Sequence, residues 1–144
     1  MAIDVTVSVV IEKPRAEVAA YVVDPANETG WIVGIRKSTP LTDGPVRVGV
    51  QVAREASFAG RRIEYVNEVV EYDPGTLLKM RSVKAPFPME ITYTFEDAAG
   101  GTRFSNHITG GPGGIARVLS PLMAMGVKRN VSKDLQRLKA VLEG

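Results

Sequence analysis

The chain has 144 residues, 44% hydrophobic and 24% charged, with a formal charge of +2. That suits one globular domain and excludes a disordered polar segment. It has no cysteine and one histidine, which removes disulfides, thiolate chemistry and multi-histidine metal sites, and its balanced charge supplies no basic face for nucleic acid.

Ile3 to Ile11 alternates, with Ile3, Val5, Val7, Val9 and Ile11 on one face and Asp4, Thr6 and Ser8 on the other. Period two with β-branched residues predicts a half-buried strand. Pro14 suits the first turn of a helix, and Ala16 to Val23 forms it until Asp24-Pro25 stops it. Pro25 to Gly30 reads as a further helical turn or tight loop before Trp31.

Strands and turns then alternate. The expected strands are Ile32–Ser38, Val48–Phe58, Arg62–Tyr72, Leu77–Val83, Met89–Phe95 and Thr102–Ile108. They are separated by Asp43-Gly44-Pro45, Ala59-Gly60, Asp73-Pro74-Gly75, Pro86-Phe87-Pro88 and Gly100-Gly101. With no helix between them, the sheet must be antiparallel. After the glycine-rich Gly110–Gly114, an amphipathic helix runs from about Ile115 to Leu142. Its stripe is Ile115, Leu119, Leu122, Met123, Val127, Val131, Leu135, Leu138 and Leu142, with a kink or restart expected at Ser120-Pro121.

The expected fold class is α+β. A curved antiparallel sheet of about seven strands wraps a long C-terminal helix, with two short helices after the first strand, in one domain spanning 1–144. Such a sheet has more apolar face than short helices can cover. Where the long helix and the sheet diverge, a concave apolar space should remain.

The order strand, proline-initiated short helices, Trp31, strand meander, Gly100-Gly101-Thr102-Arg103, and a long helix carrying Leu135-Gln136-Arg137-Leu138-Lys139 resembles the START-like superfamily. Within it the chain is most similar to the polyketide cyclase/dehydrase-type SRPBCC members. The resemblance covers nearly the whole chain. It implies a helix-grip fold with a deep hydrophobic cavity for lipids, sterols, polyketides or similar molecules. Some members catalyse cyclisation or dehydration, many bind or carry, and some act as antitoxin-like regulators. Fold alone does not choose among these.

The residues expected to line the cavity are Trp31, Val52, Arg54, Phe58, Tyr65, Met80, Met89, Ile91, Tyr93, Phe104, Asn106, Met123 and Val127. Arg54 shares the phase of Val48, Val50, Val52 and Phe58. If that face is concave, its guanidinium could hold a carboxylate, enolate or phosphate; a β-bulge would instead turn it outward. Tyr65, Tyr93 and Asn106 are the polar handles. In an enzyme, Arg54, Tyr65 or Tyr93 would polarise a carbonyl or relay a proton.

His107 falls on the opposite face from Phe104, Asn106 and Ile108, which suggests the outer side of the sheet. Glu64, Glu68 and Glu71 lie among basic residues and read as surface pairs. The glycine cluster lacks the Gly-Lys-Ser/Thr ending of a phosphate loop; it and the Pro86-Phe87-Pro88 loop are expected to flank the cavity mouth. No catalytic set, metal or cofactor is assigned. The expected partner is a small hydrophobic molecule, without nucleic acid or stable membrane insertion, and a protein partner stays open. Asp4 sits where a signal peptide would be basic, and no apolar run nears the ~18 residues of a membrane span, so the expected location is cytoplasmic.

Overall fold

The computed structural model describes residues 3–58, 60–111 and 120–144. The elements are β1 (Ile3–Ile11), α1 (Arg15–Val23), a 3-10 turn (Pro25–Asn27), α2 (Glu28–Trp31), β2 (Ile35–Pro40), β3 (Gln51–Phe58), β4 (Arg61–Asp73), β5 (Leu77–Lys84), β6 (Met89–Ala98), β7 (Gly101–Gly110) and α3 (Ser120–Glu143). The strands form one curled antiparallel sheet in the order β1-β7-β6-β5-β4-β3-β2. The chain thus meanders from β2 to β7, and β7 returns to pair with β1 from Ile3↔Gly110 to Ile11↔Thr102.

Alternation sets the inner face. Ile3, Val5, Val9 and Ile11 of β1 are buried, as are Phe104 and Ile108 of β7 and Tyr93 and Phe95 of β6. His107 takes the outer face, where its ring nitrogen is 2.7 Å from the Asp4 carboxylate on β1. Arg62 pairs with Glu64 and Glu55 at the surface, each at 3.0 Å, and Glu68 accepts from Gln51.

Helix α3 is fixed at its C-terminal end. Leu135 and Leu138 are fully buried, each worth about 1.5–3 kcal/mol of burial. Lys139 Nζ donates to Val10 O at 2.7 Å, and the Glu143 carboxylate accepts from Glu12 N–H at 2.8 Å. Arg137 Nε donates to Gly30 O, and Asp134 accepts from Val33 N–H. Toward its N-terminus the contact loosens: Val127 and Val131 are buried, whereas Met123 and Ala124 are only half-buried.

Several boundaries differ from the sequence reading. β2 begins at Ile35 rather than Ile32, because Ile32 caps α2 through a bond from its N–H to Glu28 O. β3 begins at Gln51, since Gly49 turns with φ +96° and leaves Val48 exposed. Leu122 is 68% exposed: it lies off the stripe that Met123, Val127 and Val131 turn inward. The described part of α3 begins at Ser120, so the expected kink or restart at Ser120-Pro121 falls at the edge of the described residues. The expected stripe residues Ile115 and Leu119, and positions 112–114 of the glycine cluster, lie outside the described residues.

Two glycines permit close backbone approach. A Cβ on Gly101 would collide with Ile11 O, and one on Gly110, at φ +129°, would collide with Pro88 O. Gly126, inside α3, faces open space. Gly101→Ala should therefore lower the unfolding free energy by about 2–3 kcal/mol. Gly126→Ala should raise it by about 0.5–1 kcal/mol through helix propensity. Urea titration of the two variants checks both signs.

Candidate ligand cavity

Where α3 rises from the sheet there is a cavity of about 500 Å³. Its walls come from the inner faces of β3 to β7, from α2 and the stretch after it, and from Met123, Val127 and Val131 of α3. The lining is mainly apolar, and the volume lies within the ordinary range for small-molecule sites. Ala85, Pro86 and Phe87 of the β5–β6 loop also line it, and Gly111 N–H bonds Pro88 O beside them.

Of the residues expected there, Trp31, Arg54, Tyr65, Met80, Met89, Ile91, Tyr93, Asn106, Met123 and Val127 line the cavity. Val52 and Phe104 do not. Both are buried in the packed core, and Phe104 lies under the floor, its ring centroid 5.3 Å from Tyr93 and 6.0 Å from Trp31. Face and depth are separate coordinates, and alternation reports only the first. Phe58 ends β3, and its side chain lies outside the described residues.

β3 keeps its phase. The register irregularities fall in the β2–β3 and β4–β5 pairings, while β3 and β4 pair without a break from Gln51↔Glu68 to Phe58↔Arg61. Arg54 therefore points inward, at 5% exposure. It already has a buried counter-charge. Its Nε and Nη2 donate to the two oxygens of Glu28, each at 2.7 Å. Ser38 Oγ donates to Glu28 as well, at 2.8 Å. Glu28 is 3% exposed, so the inward-facing arginine is met by a buried carboxylate of the protein's own. Burial alone would lower the Arg54 pKa, but the hydrogen bonds and charge of Glu28 outweigh it and hold the guanidinium firmly charged.

Sequence reasoning missed Glu28, although a signal existed: an arginine in the inward phase of a strand needs a buried counter-charge. The Arg54 Nη1, Trp31 Nε1, Asn67 Nδ2 and Asn106 Oδ1 atoms are buried without a partner among the described residues. All four residues line the cavity. Burial raises the pKa of Tyr65 and Tyr93, so both phenols stay neutral.

Asp134 was also missed. It lies on the inward side of α3, three residues after Val131, lines the cavity, and bonds Val33 N–H at 3.0 Å. Burial pushes its pKa up from 3.8 to about 6, against the opposing pull of Val33 N–H and Arg137. Among the described residues there is no cluster of three or more potential metal ligands, and no helix is long and apolar enough to cross a membrane.

A family model described as polyketide cyclase/dehydrase and lipid transport matches residues 2–143. The chain belongs to that family. No curated protein matches it. Several solved structures share its fold. A protein of Thermus thermophilus superposes with a TM-score of 0.85 at 18% identity, over 97% of both chains. The Zhui aromatase/cyclase of Streptomyces sp. R1128 gives 0.78 at 16% identity, over 97% of this chain and 93% of that one. The di-domain aromatase/cyclase StfQ of the steffimycin biosynthetic pathway gives 0.80 at 12% identity, over 98% of this chain and 50% of that one. These likenesses establish the fold, which in this family member encloses the cavity just described.

The raised Asp134 pKa fixes the sign of a pH effect. The native state holds this proton more tightly than the unfolded chain, so stability falls as pH rises from about 4 to about 6. Above that window the penalty for the buried charge is fully present. Asp134→Asn keeps an oxygen for Val33 N–H and removes the charge. It should raise the unfolding free energy at pH 7.5 by about 1–3 kcal/mol and have little effect near pH 4, as measured by urea titration at both values.

Proposed function

We propose that this chain binds a small hydrophobic molecule, of lipid, sterol or polyketide-like class, in the cavity between the sheet and α3, without covalent chemistry of its own. The observation that carries this reading is the 500 Å³ space with its largely apolar wall. Membership of a family described by both cyclase/dehydrase and lipid transport is consistent with it.

Trp31 is the only tryptophan and lines the cavity, so its fluorescence reports on occupancy. Titration with fatty acids, sterols and aromatic polyketides should change that emission for at least one class and raise the melting temperature. Ile91→Trp would fill the cavity from β6 and should abolish the ligand-dependent stabilisation while the variant still unfolds cooperatively. Absence of any response across the three classes would refute the reading.

A second reading is a cyclase or dehydratase on a polyketide-like substrate. One observation favours it: Asp134 is a carboxylate on the cavity wall with a pKa near 6, the range in which a general base works at neutral pH. Tyr65 and Tyr93, held neutral, would donate hydrogen bonds to a carbonyl and not act as bases. In that case turnover of a poly-β-ketone substrate should rise through pH 6 and lose that limb in Asp134→Asn. Turnover that survives alanine at Arg54, Tyr65 and Tyr93 would remove those three from the reaction.

A further inference from the structure

We infer that the cavity selects ligands whose buried polar end is a neutral oxygen acceptor, such as a ketone or a phenol, over those ending in a carboxylate or phosphate, and that Glu28 sets this preference. The inference rests on the ligand-binding reading above and concerns the deep end of the same site.

The charge count comes first. Among the described residues Arg54 is the buried cation on the cavity wall, and Glu28 already neutralises it through two 2.7 Å bonds. Both side chains are 4% exposed. A ligand carboxylate brought to Arg54 would place a second anion beside Glu28, away from water, where like charges repel strongly and desolvation is costly. Asp134 adds a further acid to the wall. Lys133 also lines the cavity, but it is exposed; a solvated cation at the rim contributes little.

Hydrogen-bond direction comes second. Arg54 Nη1 and Trp31 Nε1 can only donate, and neither has a partner among the described residues. The unpaired amides of Asn67 and Asn106 can each turn to donate or accept. Buried donors without partners carry a penalty that a ligand acceptor relieves. A carbonyl or phenol oxygen satisfies them without adding charge.

The ion pair therefore acts as a shielded donor. Glu28 takes up the charge of Arg54 and two of its N–H directions, and leaves Nη1 for a neutral oxygen. Ser38 Oγ donates to Glu28 Oε1, the oxygen that also accepts from Arg54 Nε.

The test uses isosteric probes that differ only in a methyl group against an oxyanion. One pair is 2-acetylnaphthalene and 2-naphthoate; the other is 2-tridecanone and dodecanoate. Affinities are measured by calorimetry at pH 8, for the wild type and Glu28→Gln. In the wild type the ketone of at least one pair should bind more tightly than its acid by about tenfold or more. In Glu28→Gln the buried guanidinium loses its counter-ion, so that preference should shrink or reverse, and the acid should stabilise the variant thermally more than the ketone does.

Equal or tighter binding of the acids by the wild type would overturn the inference and leave the ligand-binding reading intact. So would an unchanged ratio in Glu28→Gln. If that variant does not fold, the wild-type ratio and that of Ser38→Ala, which removes one bond to Glu28, decide: a ketone preference that weakens in Ser38→Ala supports the inference, and one that does not change overturns it. Binding of none of the four probes would overturn the inference, while the ligand-binding reading is decided separately by the titration across fatty acids, sterols and aromatic polyketides.

Discussion

The whole architecture follows from a mismatch of surfaces. Seven antiparallel strands curl into a trough whose inner face is apolar along most of its length, and α3 is the long helix that covers it, with α1 and α2 contributing Val18, Ala19, Val22 and Trp31 to the same core. α3 meets the trough fully only toward its C-terminus, where Leu135 and Leu138 are buried and Lys139 and Glu143 bond the end of β1. Toward its N-terminus the trough stays wide and Met123 is only half-buried. Close packing at one end and divergence at the other are two results of the same geometry. The cavity is where a rigid helix and a curved sheet cannot both be satisfied.

The Glu28–Arg54 pair is the polar counterpart of that packing. It links α2 to β3 inside the wall, and Asp134 and Arg137 link α3 to the same stretch of chain between Gly30 and Val33. Trp31 lies between these attachments with its ring against Tyr93 and Phe104. The short α2 segment, with little helix stability of its own, is thus held by partners from β3 and α3. A buried ion pair is weak evidence for net stability; its consequence here is to specify where Trp31 and the cavity wall stand.

How far the residues alone disclosed this depends on what kind of information was needed. Strand alternation in β1, β6 and β7 depends only on which face a residue takes, so the sheet and the inward phase of Arg54 were readable. Turn chemistry at Asp73-Pro74-Gly75 and Gly100-Gly101 marked the chain reversals. Depth was not readable. Phe104 and Val52 have the correct phase but are packed beneath or beside the cavity, because position along a strand relative to a distant helix is a tertiary quantity. Glu28 was hidden for the same reason, since its partner is 26 residues away and the two meet only when α2 folds onto the sheet. Asp134 was closer to the surface of the sequence: an acid on the inward stripe of an amphipathic helix, between Val131 and Leu135, is out of place unless something specific holds it.

The two borders of the sheet carry a consequence of their own. β2 is six residues long, irregular between Ile35 and Lys37, studded with exposed Arg36 and Lys37, and ended by Pro40. At the other border, the Val10 carbonyl of β1 and the amide of Glu12 just after it are occupied by side chains of α3. The β2 margin is short and charged, and the C-terminal end of the β1 margin is bonded by side chains, both of which discourage pairing with a foreign strand. Margins that are short, charged or bonded by side chains lower the tendency of copies of a sheet protein to pair edge to edge.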